Sequence, residues 1–223
     1  MIFLNFAGRL LQMINIQQFT FNTWEENTFV LYDQTGECII IDPGCQVREE
    51  QDALVKFIGN NKLTPVLLIN THCHIDHVFG NKFVSDMYGL SPRFHRLEGV
   101  VLQAMIPYAA SMGAHYTPSP PAEIYLEEGK QILFGDSALD SLFTPGHSPG
   151  SLSFFSAEDR LLIGGDVLFQ GSIGRTDLPG GDFDTLIRSI KTQLLPLGDD
   201  VKILPGHGPA TTIGAERTNN PFL

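Results

Sequence analysis

The chain has 223 residues, 43% hydrophobic and 17% charged, the composition of a globular protein long enough to bury a sizeable core. Its formal net charge of -11 argues against non-specific attachment to nucleic acid or to an anionic membrane, because phosphates are repelled before any specific contact forms. Three cysteines, Cys38, Cys45 and Cys73, are too few and odd in number for a disulfide framework, so a reducing, cytoplasmic setting is expected.

Residues 1–12 lack the basic start and long apolar run of a secretory signal and are read as a leader or a mis-called start, with one domain over 13–223. No segment approaches the length of a membrane span. Ile14 to Phe21 alternates as a strand, and Asn27 to Tyr32 and Glu37 to Ile41 form a pair around the turn Asp33-Gln34-Thr35-Gly36. Asp42-Pro43-Gly44 stops the second of these. Val47 to Asn60 has helical spacing, Pro65 to Asn70 is a short buried strand, and a helix is expected from near Asp76 to Tyr88, ended by Gly89. Arg96 to His115 reads as a further helix with an apolar stripe, core or substrate-pocket wall. Thr117 to Pro121 breaks the chain. Short strands follow within Glu123 to Phe143 and Ser151 to Ile163, then a helix over Asp182 to Gln193 and a last strand from Val201 to Leu204. Two mixed sheets covered by helices on their outer faces, an α/β sandwich, accommodate this order.

Thr71-His72-Cys73-His74-Ile75-Asp76-His77 concentrates three of the chain's seven histidines and a carboxylate in seven positions. Imidazole nitrogen and carboxylate oxygen are the donors that zinc, iron and manganese take. Four further turns each place one such group just past an apolar strand: Asp42, His147 in Thr144 to Gly150, Asp166 after Gly164-Gly165, and His207 in Leu204 to Gly208. Side chains on loops beyond rigid strands are exposed to a substrate yet held still. Cys73, between two such histidines, is expected to point away from them. Asp42 is either a group that orients an imidazole through its other nitrogen or a plain turn residue before Pro43.

In kind and order, the H-x-H-x-D-H motif, the single downstream histidines and the intervening aspartate resemble the metallo-β-lactamase superfamily from Met13 to Leu223. The resemblance implies an αββα sandwich with a site along one edge of the sheets. It implies that His72, His74 and His147 hold one divalent metal, that Asp76, His77 and His207 hold a second, and that Asp166 bridges the two. Zinc is the first expectation, with iron or manganese also accepted by such ligands. Two ions about 3.5–4 Å apart share a hydroxide that serves as nucleophile, with Asp76 orienting it.

The loop Gly171 to Gly180 and the C-terminal tail are similar to the short bacterial glyoxalase II-like hydrolases. In that branch the expected substrate is a small S-acyl thioester such as S-lactoylglutathione. Arg175 falls where the branch carries a basic residue that contacts the glutathione part; the competing reading is a structural pair with Asp177. The short members lack the helical C-terminal domain of longer glyoxalase II, which leaves room for a looser thiol specificity. The alternative activity is that of a persulfide dioxygenase with a single iron on His72, His147 and Asp166. The partner expected is thus a small molecule, with no nucleic acid and no membrane, and a homo-oligomer remains open.

Overall fold

Phe29, Leu31, Ile39 and Ile41 leave their strands on one side and Val30 and Ile40 on the other, and all six are buried. Period-two alternation with apolar residues on both faces demands cover on both faces. The computed structural model describes residues 14–223 and meets that demand with four layers. The leader expected over 1–12 lies outside the described residues.

In chain order the strands are β1 (Asn15–Phe21), β2 (Glu26–Tyr32), β3 (Glu37–Ile41), β4 (Thr64–Ile69), β5 (Pro92–Arg93), β6 (Gln131–Phe134), β7 (Ser137–Phe143), β8 (Leu152–Ser156), β9 (Leu161–Gly165), β10 (Leu168–Phe169), β11 (Ser172–Ile173), β12 (Lys202–Pro205) and β13 (Thr211–Thr212). The helices are α1 (Arg48–Asn60), α2 (Ile75–Val78), α3 (Asn81–Tyr88), α4 (Gly99–Met112), α5 (Phe183–Ser189) and α6 (Ile213–Asn219). The first sheet runs β1-β2-β3-β4-β5, antiparallel as far as β3 and parallel beyond it. The second runs β13-β12-β9-β8-β7-β6, antiparallel except where β12 lies parallel to β9.

The two sheets press Phe29, Leu31, Ile41, Leu139, Phe154 and Ile163 against one another. Leu54 and Ile58 of α1 and Val84 of α3 cover the outer face of the first sheet through Val30, Ile40 and Leu68. Leu186 of α5, with Ile190 and Leu194 after it, covers the second through Phe155, Leu162 and Ile203. This is the αββα sandwich that the strand and helix order predicts.

Local departures have local causes. The helix expected from Asp76 to Tyr88 divides into α2 and α3, because the Gly80 N–H turns outward to Pro43 O at 2.7 Å. The helix expected from Arg96 opens as a tight 3₁₀ turn over Arg96–Glu98 before α4, which ends at Gly113 in the left-handed region (φ 65°). Asp182 caps α5, its side chain accepting from Thr185 N at 2.7 Å, and the helix widens to a π turn over Ile190–Leu194. The two-residue strands β5, β10, β11 and β13 are too short to carry a periodicity, and α6 was not anticipated.

Phe154 is fully buried at the middle of the inter-sheet core. Phe154→Ala is expected to destabilise the fold by about 3–5 kcal/mol, read as a fall in the denaturant midpoint with an unchanged slope.

Candidate metal centre

Strands β3 and β4 run parallel in the first sheet, and β7, β9 and β12 share one direction in the second. Asp42, His72, His147, Asp166 and His207 all follow the carboxyl ends of these five strands. Folding the sheets face to face therefore gathers them at one edge. His72-Cys73-His74 is extended up to the start of α2 (His74 φ -68°, ψ 156°), whereas Asp76 and His77 lie inside that helical turn. The seven residues thus present ligand groups in two directions. Cys73 points away, into the apolar cluster of Ile75, Val78 and Phe94.

Hydrogen bonds on the far side of the rings decide which nitrogen faces the site. His147 Nδ1 donates to the Arg175 carbonyl (2.8 Å) and His207 Nδ1 to the Trp24 carbonyl (2.9 Å), so each turns its Nε2 inward. His77 Nδ1 donates to Asp42 Oδ2 at 3.1 Å. The Thr71 hydroxyl gives its proton to Asp42 Oδ2 (2.5 Å) and so accepts from His72 Nδ1 (3.1 Å). Asp42 thereby sets the tautomer of two imidazoles, one directly and one through Thr71, and also accepts the Thr71 N–H at 2.7 Å. It does this from a left-handed backbone position (φ 49°), which aspartate tolerates better than most residues.

The inward atoms form two adjoining groups. His147 Nε2 lies 2.9 Å from His74 Nδ1 and 3.2 Å from His72 Nε2. Asp76 Oδ2 lies 3.0 Å from His207 Nε2 and 3.6 Å from His77 Nε2. Asp166 stands between them, with Oδ1 3.5 Å from His77 Nε2 and Oδ2 3.5 Å from both His147 Nε2 and His207 Nε2. Asp42, His72 and His77 also lie within reach of one another, but the oxygens of Asp42 are already engaged by Thr71 and by the outer nitrogen of His77.

A metal fits this donor set. His77 Nε2 and Asp166 Oδ1 are buried without a hydrogen-bond partner, and at 3.5 Å they are too far apart to satisfy each other well. Several imidazoles and carboxylates face the same small space, an arrangement that a bound cation relieves. Glycine at 206 lets the His207 turn pass close by: a Cβ there would stand 2.8 Å from His77 Cε1 and collide with Asp166 Oδ1. Burial, with help from the surrounding imidazoles, holds His72 well below the ordinary histidine range, and burial and His147 take His74 down to about 3. Both are therefore neutral, the form that binds metal. Burial opposes charge on His77 and Asp166 as well. There the carboxylates of Asp76 and Asp166 prevail, raising His77 well above its usual value, and the imidazoles prevail in lowering Asp166. Without a metal, a proton on His77 supplies the positive charge the carboxylates require.

The site opens into a cavity of about 900 Å³, lined on the metal side by His74, Asp76, His147, Asp166 and His207. Arg175 also lines it, but its guanidinium is forked onto Asp177 (2.7 and 2.8 Å) and 61% exposed. The pairing with Asp177, the competing reading of this arginine, is what the structure contains. Its carbonyl, which no side-chain argument addresses, holds His147.

Two carboxylates escaped the sequence reading. Glu98 is fully buried and accepts from Cys73 N (2.8 Å), Ser148 Oγ (2.6 Å) and Gly150 N (2.6 Å). It ties the turn of His72 and His74 to the turn of His147. Glu26 lies behind His77, its Oε1 3.8 Å from Nδ1, and burial raises its carboxyl well above the usual range. An acid at the start of an apolar helix was the only trace of Glu98 in the sequence, and it reads as an ordinary helix-start residue.

Residues 22–207 match the family profile described as Metallo-beta-lactamase superfamily. The chain is 35% identical over 212 residues to the hydroxyacylglutathione hydrolase GloC of Haemophilus influenzae, covering 94% of this chain and 98% of that one. Among solved structures it is similar to BLEG-1 B3 metallo-beta-lactamase (37% identity, TM-score 0.86, covering 94% of this chain and 99% of that one). It is also similar to TTHA1623 in a di-iron-bound form (34% identity, TM-score 0.84, covering 93% and 100%).

Asp42→Asn keeps the shape and the left-handed backbone but places an N–H₂ where Thr71 and His77 need an acceptor. Metal affinity is expected to fall about 10–100-fold, measured by chelator competition, with the circular dichroism spectrum unchanged. Glu98→Ala strands two backbone donors and a hydroxyl, and a loss of about 1–3 kcal/mol in chemical denaturation is expected.

Proposed function

Because this chain belongs to the metallo-β-lactamase superfamily, we propose that its histidine–aspartate cluster holds two divalent metal ions and hydrolyses S-acyl thioesters, the class that includes S-lactoylglutathione. One observation carries the reading: two adjoining sets of inward-facing donors, shared by Asp166, open directly onto a substrate-sized cavity. His72, His74 and His147 would hold one ion and Asp76, His77 and His207 the other, with Asp166 beside both sets. The likeness to a hydroxyacylglutathione hydrolase supports the thioester class, and the di-iron form of TTHA1623 supports a pair of ions. Zinc, iron and manganese all suit the donors.

Ions bound here supply a water acidified toward neutral pH and a Lewis acid for the carbonyl oxygen. The chain's own residues supply order. Asp76 is ionised, its carboxyl held below the usual range because burial is outweighed by His77 and His207, and it lines the cavity. It would accept a hydrogen bond from a water in the cavity and so orient it. The Asp42–Thr71–His72 and Asp42–His77 hydrogen bonds keep the rings from turning. A thiolate leaves without help from an acid, being far less basic than an alkoxide or amide. The persulfide dioxygenase alternative requires only His72, His147 and Asp166; the second inward set of Asp76, His77 and His207 favours the binuclear hydrolase.

Elemental analysis is expected to find two metal ions per chain, with chelation abolishing S-acyl thioester hydrolysis and zinc, manganese or iron restoring it. His72→Ala and Asp166→Ala are each expected to lower kcat/KM by about 100-fold or more and to lose bound metal. A single iron per chain, with oxygen uptake on glutathione persulfide and no hydrolysis, overturns the proposal.

A further inference from the structure

Helix α4 has fourteen residues, GVVLQAMIPYAASM, and not one is charged. One face is core: Val101, Leu102, Met105 and Ala109 are buried. The open side is mostly apolar too, Gln103 and Ser111 apart, with Val100 70% exposed and Tyr108 41% exposed. A helix without charge whose open side is mostly apolar is suited to an apolar partner on that side as well. The second partner is not protein among the described residues, because Val100, Ala104 and Tyr108 line the cavity that holds the metal donors. Trp24, Phe169 and Leu178 line the same cavity. Arg175 is the one cation in that lining among the described residues, and Asp177 neutralises it.

From this wall we infer that the cavity takes an uncharged apolar acyl chain, so that the preferred substrate is a thioester of a fatty or other hydrocarbon acid and not of a small hydroxy acid carried on an anionic thiol. The scissile bond in this statement rests on the thioester-hydrolase reading; the pocket does not. An anionic tripeptide thiol would find no free guanidinium or ammonium in the lining, whereas each methylene laid on α4 leaves water.

Two measurements on the metal-loaded protein test it. The first is kcat/KM for N-acetylcysteamine thioesters from acetyl to octanoyl, with S-lactoylglutathione beside them. It is expected to rise about three- to fourfold per methylene and to exceed that for S-lactoylglutathione by the hexanoyl member. Val100→Asp puts a charge on the wall at an exposed position in the first turn of α4, where an acid suits the helix end. It is expected to flatten the dependence on chain length. Leu133→Asp, the same kind of change at an exposed site on β6, is expected to leave that dependence intact. The second measurement uses Trp24, the only tryptophan in the chain. Its fluorescence is expected to report binding of S-hexyl-N-acetylcysteamine at least tenfold tighter than S-hexylglutathione. Thioester cleavage with no chain-length dependence, or an unchanged dependence in Val100→Asp, overturns the inference and leaves the hydrolase standing. Tighter binding of S-hexyl-N-acetylcysteamine than of S-hexylglutathione, without cleavage of any thioester, upholds the pocket and overturns the reaction.

Discussion

The centre depends on where four imidazoles keep their protons. His72, His77, His147 and His207 each commit Nδ1–H to an oxygen on the far side of the ring. The inward nitrogen of each ring, when neutral, then offers a lone pair to a cation. Set against the carboxylates of Asp76 and Asp166, the arrangement requires positive charge among its atoms, supplied by a proton on His77 or by a bound cation in its place. The fold holds this unfavourable geometry ready-made, so a metal meets oriented donors and little reorganisation is left to do.

What keeps the donors in place is a set of buried polar ties between loops that the sheets alone would leave loose. Asp42 links the end of β3 to the turn after β4, and Glu98 links that turn to the one carrying His147. Asn27 donates from its amide to Pro205 O (3.0 Å) and Gly208 O (2.9 Å), fastening the His207 turn to the first sheet. In a desolvated setting each tie is strong, and each is costly to break because its partner is then stranded.

The cavity divides by polarity. Its floor is the donor cluster, where charge is concentrated and water can be activated; its wall is α4 and the segment around β10 and β11, where binding is hydrophobic and without direction. Such a division lets a substrate be gripped by a part that does not react while the carbonyl is delivered to the floor. Remote contact of that kind raises the rate only insofar as it positions the reacting carbon.

The strand-end positions of the donors and the αββα layering were legible in the linear chain. Continuous apolar runs such as Cys38 to Ile41 and Leu161 to Ile163 and turns such as Pro205-Gly206-His207 are local signals, written within a few residues. The donor types follow from residue identity alone. The tautomers, the pairing of Arg175 with Asp177 and the function of its carbonyl, the bracing by Glu98 and the open second face of α4 were decided by tertiary structure. Arg175 meets its ion partner two residues away, but its carbonyl meets His147 across 28 positions, and the Trp24 carbonyl meets His207 across 183. A contact between distant segments exists only after the sheets have packed, so no spacing rule encodes it. The α4 stripe reads either as core or as pocket wall from its period, because period reports that a face is apolar and is silent on what lies against it.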